Sequence, residues 1–227
     1  MSGHVRTGAA LLLCLCSLCT AGDNSGQTTT NREAPPMVSA TDDSLGPVSK
    51  AIASRRSRRC FADKPVSREN ILRLLWAAQG ITDRSSGYRS APSAGATYPL
   101  TAYAVTKEAI ERYVPTKNEL ELVKKGDFRG RLAEACHGQP FIRTAPVVIV
   151  LSAVYERTTR RYGERGIRYV HMEAGHAAQN VHLQAVELGL GSVPVGAFAD
   201  RGAREVMDCA EDERVVYVIP VGEACEG

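Results

Sequence analysis

Apolar residues recur at helical spacing in two long stretches of the chain. The first begins after Ser67, whose hydroxyl suits a helix N-cap, and ends at Gly80. The second covers residues 167–188 and ends at Gly189, a residue type that favours the end of a helix. Its apolar stripe consists of Val170, Ala174, Ala177, Val181, Ala185 and Leu188, at steps of four or three. Both stretches predict amphipathic helices, and the second carries small residues that permit close approach to a neighbour.

Alternating and continuous apolar runs predict the strands. Residues 145–154, APVVIVLSAV, form an almost unbroken apolar run, which is typical of a strand buried on both faces. Further strands are predicted over 100–106 and 215–221, with a hairpin over 109–114 and 120–123. Short helices are predicted over 48–55, 128–137 and 203–209, and residues 82–98 are predicted to be loop. This order predicts an α+β fold with helices around a central mixed sheet, in one domain over residues 47–227.

The first 22 residues have the pattern of a secretory signal peptide. Arg6 precedes an apolar run over residues 9–19, and Cys19-Thr20-Ala21 forms a small-x-small cleavage site. The run is too short to span a membrane. A lipid anchor at Cys19 or Cys16 is the alternative, although each follows a leucine where a lipidation signal requires a small residue. Polar residues dominate 23–46, which predicts a flexible linker. We therefore expect an exported protein, periplasmic or extracellular.

Composition and charge narrow the function classes. A chain of 227 residues with 44% hydrophobic content suits one ordinary domain, and a formal net charge of +3 is too small to indicate nucleic-acid binding. His171 and His176 are five residues apart, whereas a zinc-protease pair needs four, so we expect no metal. Removal of the leader leaves four cysteines without Cys-x-x-Cys spacing, and any of three disulfide pairings stays open. They are Cys60, Cys136, Cys209 and Cys225.

The segment Arg55-Arg56-Ser57-Arg58-Arg59 places four guanidinium groups and a hydroxyl within five residues. A guanidinium binds a phosphate through two parallel hydrogen bonds and keeps its charge. Two later stretches, APSAGATYP at 91–99 and GLGSVPVGAF at 189–198, consist mostly of small residues, along which backbone can lie flat against a ring. Together they indicate a site for flavin mononucleotide (FMN), which carries both a phosphate and an aromatic ring. The alternative is a solvated helix end followed by two ordinary turns.

Four motifs, RRSxRxF, PSAGATYP, EAGHAAQN and PVGAF, occur in this order and resemble those of the nitroreductase family of FMN enzymes, especially its azoline-oxidase-like (SagB-type) branch. The resemblance covers roughly residues 47–222. It implies a nitroreductase-like fold and an intertwined homodimer with a flavin site in each interface cleft. In such enzymes the 91–99 segment commonly reaches the ring from the partner subunit. The FMN-binding residues that it implies are Arg55, Arg56, Ser57, Arg59, Pro92, Ser93, Ala94, Gly95, Val195, Gly196 and Ala197.

Two departures from the family pattern bear on the chemistry. The chain lacks the basic pair that many relatives carry near the C-terminus, which leaves more of the phosphate charge to residues 55–59. The Lys-Tyr pair of azoline oxidases aligns near Arg161-Tyr162, so Tyr162 is the one catalytic candidate. Arginine cannot replace lysine as a base, because it does not lose its proton in proteins.

These features predict an FMN-dependent oxidoreductase that passes a hydride or electrons through flavin N5 to a small-molecule acceptor. NAD(P)H is the candidate donor for this reaction. Three alternatives remain open at this point: an azoline dehydrogenase acting on thiazoline or oxazoline peptides, a flavin-binding protein without turnover, and an anion-binding structural domain without flavin.

Overall fold

The structure is a computed structural model that describes Ser39, Thr41 and residues 44–225. Its helices are α1 (Pro47–Ser54), α2 (Arg68–Gln79), α3 (Arg129–Ala135), α4 (Pro140–Thr144), α5 (Glu156–Tyr162), α6 (Arg165–Glu187) and α7 (Asp200–Met207). Its strands are β1 (Ile81–Asp83), β2 (Tyr88–Arg89), β3 (Leu100–Val105), β4 (Ala109–Val114), β5 (Glu119–Lys125), β6 (Val147–Val154), β7 (Gly191–Ser192) and β8 (Glu213–Gly222). The predicted leader 1–22 and most of the linker 23–46 lie outside the described residues. No helix of the described part is long and apolar enough to cross a membrane.

Six strands form the main sheet in the order β5-β4-β3-β6-β8-β7. All five pairings are antiparallel, so the sheet differs from the predicted mixed one. Tight turns join β3, β4 and β5, and this connection makes neighbouring strands antiparallel. Strand β6 lies near the centre, and all eight of its residues are buried. The prediction of a strand covered on both faces is therefore confirmed.

Successive residues of β6 point to opposite faces of the sheet, and each face has its own core. Val147, Ile149 and Leu151 pack into the core that includes residues of α2 and α6. Val148 and Val150 pack into the core that includes residues of α3, α4 and α7. The structure is thus a central sheet with helices on both sides, which confirms the α+β prediction.

The long periodic elements follow their sequence patterns. Helix α2 begins after Ser67, whose hydroxyl accepts the Asn70 N–H, and Gly80 follows its last residue. Helix α6 buries Val170, Ala174 and the other predicted members of its stripe up to Ala185. Four short elements were not predicted: α4, α5, the β1–β2 hairpin and β7. They are two to seven residues long, which is too short for an apolar period to appear.

Candidate functional site

The arginine-rich segment 55–59 leaves α1 in an extended conformation and lies beside β7. The Arg58 N–H donates to the Ser192 carbonyl over 3.0 Å, and Ser57 forms a parallel bridge with Ser192. Two motifs that lie more than 130 residues apart in sequence are therefore joined by backbone hydrogen bonding. The segment therefore lies along the edge of the sheet formed by β7 and pairs with it at a single bridge.

The C-terminal segment holds the same region from its other side. Phe61 forms an antiparallel bridge with Ala224, and the Cys225 N–H donates to the Cys60 carbonyl over 3.1 Å. A disulfide joins Cys60 to Cys225, with their Cα atoms 5.4 Å apart. Each of the three pairings that the sequence left open joins all four cysteines in two disulfides. The structure has only the Cys60–Cys225 bond among its described residues, and Cys136 and Cys209 are free thiols.

The glycine at position 191 permits the close approach between this segment and β7. A Cβ added there would lie 2.8 Å from Cβ and Cγ of Arg58, well inside van der Waals contact. Only a residue without a side chain fits this position while Arg58 keeps its hydrogen bond to Ser192.

We expect Gly191→Ala to lower the free energy of unfolding by about 1–3 kcal/mol, because the added methyl overpacks the contact with Arg58. Urea denaturation measures this change. Gly175→Ala on α6 is the matched control, since a Cβ there meets nothing within 4 Å and alanine favours a helix. Equal destabilisation by both variants would contradict the packing argument.

The cations of the segment have no acidic partner among the described residues. Arg56 donates to the carbonyls of Ala53 and Arg55 at 2.9 and 2.8 Å, and so covers the end of α1. The Arg59 guanidinium lies 6.0 Å from the centre of the Phe141 ring. Such an accumulation of unneutralised positive charge is a candidate anion site.

His182 lies beneath this segment and was missed by the sequence analysis. Its side chain is buried, its Nδ1 lies 2.7 Å from the Ser192 hydroxyl, and its Nε2 has no partner among the described residues. Burial, and then the positive charge of Arg55, lower the pKa of His182 to about 4. The imidazole is therefore neutral at neutral pH. The signal in the sequence is a histidine directly beside the apolar stripe of α6.

Residues 195–197 follow shortly after β7, the strand that pairs with the arginine segment. Val195 exchanges two backbone hydrogen bonds with Val218, at 2.7 and 3.0 Å, which attaches this stretch to the sheet. Gly196 and Ala197 are exposed, and a Cβ added at Gly196 would meet nothing within 4 Å. The backbone here is open to a flat ligand.

The other small-residue stretch, at 91–99, lies against α5 and α6 instead. Gly95, Ala96 and Tyr98 all have positive φ angles, of 60°, 53° and 45°. This conformation is unfavourable for residues other than glycine, so the loop needs support from its surroundings. The Tyr98 N–H donates to the Ser93 hydroxyl over 2.9 Å, which closes the loop on itself.

Arginines from two further elements hold the outside of this loop. Arg157 and Arg161 of α5 donate to the carbonyls of Tyr98 and Gly95, at 3.3 and 3.4 Å. The guanidinium of Arg89 lies 4.5 Å from the centre of the Tyr98 ring, and it also donates to Gln79 over 2.7 Å. The sequence analysis missed Arg89, since its partners come together only in the folded chain.

Tyr162, the one catalytic candidate, lies beside the same loop. Its ring packs edge-on against Tyr169 with the ring centres 5.2 Å apart. A Cβ added at Gly95 would lie 2.5 Å from the Tyr162 hydroxyl. The structure therefore brings Tyr162 together with the predicted stretch Pro92–Gly95.

Glu173 of α6 lies under the loop with only 3% of its surface exposed. Its Oε1 has no hydrogen-bond partner among the described residues. Burial raises the pKa of Glu173 to about 7, while Ser93 and the charge of Arg89 oppose that rise.

The predicted site residues thus fall into two groups in one chain. Arg55, Arg56, Ser57 and Arg59 lie with the 191–197 stretch, whereas Pro92–Gly95 lie with Tyr162 and Glu173. Among the described residues, no hydrogen bond or strand bridge joins the two groups.

No group of three or more metal-ligating side chains comes together within the described part of the chain. The imidazole Nε2 of His171 lies 2.7 Å from the Tyr155 hydroxyl, and the two rings pack edge to face. His171 thus belongs to an aromatic pair, and His176 is exposed one turn further along α6.

Comparison with known proteins relates this architecture to a family. The profile described as "Nitroreductase family" matches residues 52–223. The Methanocaldococcus jannaschii protein MJ1384, which is named as a nitroreductase, is 42% identical over 181 residues, covering 77% of this chain and 90% of the relative. The Bacillus subtilis protein named FMN reductase [NAD(P)H] is 27% identical over 185 residues, covering 76% of this chain and 63% of the relative.

A solved structure shows the same fold. A Ralstonia eutropha protein named as a nitroreductase superimposes with a TM-score of 0.73 at 28% sequence identity. The superposition covers 86% of this chain and 89% of the Ralstonia chain. The described elements and their order are therefore those of a nitroreductase-like fold.

Proposed function

The chain belongs to the nitroreductase family of flavin-dependent oxidoreductases, and we propose from that premise that it binds FMN and passes reducing equivalents from NAD(P)H to a small-molecule acceptor. The observation that carries this proposal is the arginine segment without acidic partners, held against an open small-residue backbone. The name of the Bacillus relative supports both the flavin and the nicotinamide donor.

The residues present fit the phosphate end of FMN. Arg55 and Arg59 would bind the phosphate by charge-assisted hydrogen bonds, and the Ser57 hydroxyl would bind an oxygen of the phosphate or of the ribityl chain. The buried, partnerless Nε2 of the neutral His182 gives the region one more polar atom without adding charge. Arg56 would join only by giving up its contacts at the end of α1.

The 195–197 stretch fits the ring end. Val195 is fixed by its pairing with Val218, whereas the exposed N–H groups of Gly196 and Ala197 have no backbone partner in the described structure. FMN, when bound, would supply the hydride- and electron-accepting ring. An N–H at this position would orient the N5 edge of that ring, and the protein would add no acid–base pair of its own.

We further propose that a second copy of the chain completes the site. Helix α1 is amphipathic but buries no residue in the single chain, and Val48 and Ile52 remain 67% and 55% exposed. A groove of about 520 Å³ between α1, α2 and α6 adds the partly exposed Trp76 to this apolar surface. A partner covering it would bring its own 92–98 loop to the arginine segment and join the two groups of predicted residues.

Sedimentation equilibrium of the purified protein is expected to give about twice the mass of one chain, because a second copy would bury the exposed apolar surface of α1. Ile52→Glu should shift the protein towards monomer and lower its FMN content, whereas Leu122→Glu, on the exposed part of β5, should change neither. A monomer that retains FMN at low micromolar concentration would contradict the shared site.

Two measurements test the function itself. The purified protein should be yellow, with flavin absorbance near 450 nm, and it should oxidise NADPH or NADH in the presence of a quinone or a nitroaromatic compound. The proposal would be overturned if the purified protein is colourless and retains no flavin absorbance after incubation with FMN and removal of the unbound flavin. A yellow protein without turnover would support the alternative of a flavin-binding protein.

One observation favours the azoline-dehydrogenase alternative. The Tyr162 hydroxyl lies close to Gly95 in the 91–99 stretch. Its neighbour Arg161 argues against it, since removal of a carbon-bound proton needs a base. A thiazoline peptide incubated with protein and oxygen should therefore keep its mass. Loss of two hydrogens by the wild type, abolished in Tyr162→Phe, would favour the alternative.

Export is proposed on the leader pattern and is supported by the Cys60–Cys225 disulfide, since disulfides persist in oxidising compartments. Reduced nicotinamides are scarce outside the cell, so an exported form would need another donor. N-terminal sequencing of the native protein tests export. A mature chain that begins near residue 22 would support it, whereas an intact Met1 in a cytosolic fraction would contradict it.

A further inference from the structure

A further group of arginines, outside the 55–59 segment, surrounds a cavity that the proposed reaction does not use. The cavity has a volume of about 290 Å³ and is lined by Gln79 at the end of α2, Arg89 of β2 and Arg157 of α5, together with residues of β3, β4 and β5. This volume is at the lower end of the range for cavities that hold small ligands. The chemistry of its wall therefore decides what it can bind.

Arg89 is held in this wall by neutral groups. Its Nη1 donates to Oε1 of Gln79 over 2.7 Å, and its guanidinium lies 4.5 Å from the centre of the Tyr98 ring. Among the described residues it forms no ion pair. Burial lowers the pKa of Arg89, Glu173 opposes that change, and the charge of Arg157 adds to it. The positive charge of Arg89 is therefore only partly balanced within the protein.

Arg157 brings a second cation to the same cavity. Its side chain is exposed, its Nη1 donates to the Tyr98 carbonyl over 3.3 Å, and no acidic partner lies within ion-pair distance in the described part of the chain. The other two charged residues of the lining neutralise each other, since Nη2 of Arg112 lies 2.7 Å from Oε2 of Glu121. The lining therefore carries an excess of positive charge.

Gln79 adds an unused hydrogen-bond donor to the wall. The residue is 1% exposed, and because its Oε1 accepts from Arg89, the orientation of the amide is fixed. Its Nε2 is buried without a hydrogen-bond partner among the described residues, which is unfavourable for a polar group. The rest of the lining includes apolar side chains, namely Leu100, Ala102, Val114 and Pro115.

We propose that this cavity binds a small carboxylate with an apolar body. A guanidinium matches a carboxylate through two parallel hydrogen bonds, so a ligand between Arg89 and Arg157 would balance both charges. The ligand would also offer an acceptor to Nε2 of Gln79, and its apolar body would contact the apolar part of the lining. Both arginines contact Tyr98, so the site adjoins the 91–99 stretch. The proposal does not depend on flavin binding.

Benzoate is the probe for this site. Isothermal titration calorimetry of the purified protein with benzoate is expected to show one saturable site per chain. Benzamide has the same shape without the charge and should bind at least about tenfold more weakly, because it forms no charge-assisted hydrogen bond. Inorganic phosphate has no apolar body and should also bind more weakly than benzoate. The absence of saturable benzoate binding would overturn the proposal, as would equal binding of benzoate and either comparison compound.

Arg157→Gln should weaken benzoate binding at least about tenfold, because it removes one charge-assisted contact. Arg157 is exposed, so this variant should fold. Arg160→Gln is the matched control, since it removes the same charge from an exposed position of the same helix but does not line the cavity. Its benzoate affinity should stay within about twofold of the wild type. Equal losses in the two variants would show a general attraction of anions and overturn the proposal.

Gln79→Glu tests the site from inside the fold. The variant places a carboxylate of the protein beside Arg89, where an oxygen already accepts from the guanidinium. This internal carboxylate should take the role of the ligand and weaken benzoate binding at least about tenfold, while the contact that holds Arg89 is kept. Unchanged benzoate affinity in Gln79→Glu would contradict the proposal.

The arginine segment 55–59 is the other place where benzoate could bind. Arg59→Ala should leave benzoate affinity within about twofold of the wild type, because Arg59 does not line this cavity. A loss in Arg59→Ala with none in Arg157→Gln would assign benzoate to the arginine segment and overturn the proposal. Since the readout is benzoate binding, a failure of the protein to bind FMN would reject the proposed function and leave this test intact.

Discussion

Replacing Arg55 or Arg59 with alanine is expected to weaken FMN binding by about 1.5–3 kcal/mol, the contribution of a charge-assisted hydrogen bond to a buried or partly buried group. These guanidinium groups have no acidic partner among the described residues, so their charge is available to a phosphate. Arg55 also lies close enough to His182 to lower the pKa of that residue, which places its charge beside the site.

Titration of the flavin-free protein with FMN, followed by the quenching of flavin fluorescence, measures this loss. Riboflavin lacks the phosphate, so both variants should bind it nearly as well as the wild type does. Arg73→Ala is the matched control, because Arg73 is an exposed cation on α2 that already pairs with Glu69. Equal losses for FMN and riboflavin would reject the assignment of these residues to the phosphate.

Replacing Cys60 and Cys225 together by serine is expected to lower the free energy of unfolding by about 3–5 kcal/mol. The disulfide spans 165 residues, and a cross-link over so long a loop removes much conformational freedom from the unfolded chain. Cys60 directly follows Arg59, so the loss should also loosen the end of the arginine segment and weaken FMN binding.

Urea denaturation with and without dithiothreitol tests this prediction. Reduction should destabilise the wild type and leave the double serine variant unchanged. Cys209→Ala is the control, since Cys209 is a free and only partly buried thiol. A wild type whose unfolding midpoint does not respond to the reductant would show that the disulfide contributes little.

The two groups of site residues are held in place by different kinds of contact. The arginine segment and the 195–197 stretch are held by backbone pairing to the sheet, which gives them a fixed position. The 91–99 stretch is held by side chains from β2 and α5. A loop of this second kind responds to single side-chain changes, and we therefore expect its variants to alter ligand affinity more than global stability.

The sequence alone determined the elements whose apolar period is long. The unbroken run of β6, the stripe of α6 and the cap of α2 each follow from which faces must be buried. It also indicated the arginine segment and the two small-residue stretches as candidate site residues, because charge and side-chain size are visible without a fold. The family resemblance rested on the order of these same motifs.

Only the tertiary structure decided what lies beside these motifs. The approach of Arg58 to Gly191, the disulfide between Cys60 and Cys225, and the hydrogen bond from Arg157 to the Tyr98 carbonyl all join residues far apart in the chain. Helix α5 is polar through most of its length and is defined by its packing on α6 and the 93–98 loop, so no local pattern predicts it. Periodicity records which residues are buried, whereas the partner that buries each of them is set by the path of the whole chain.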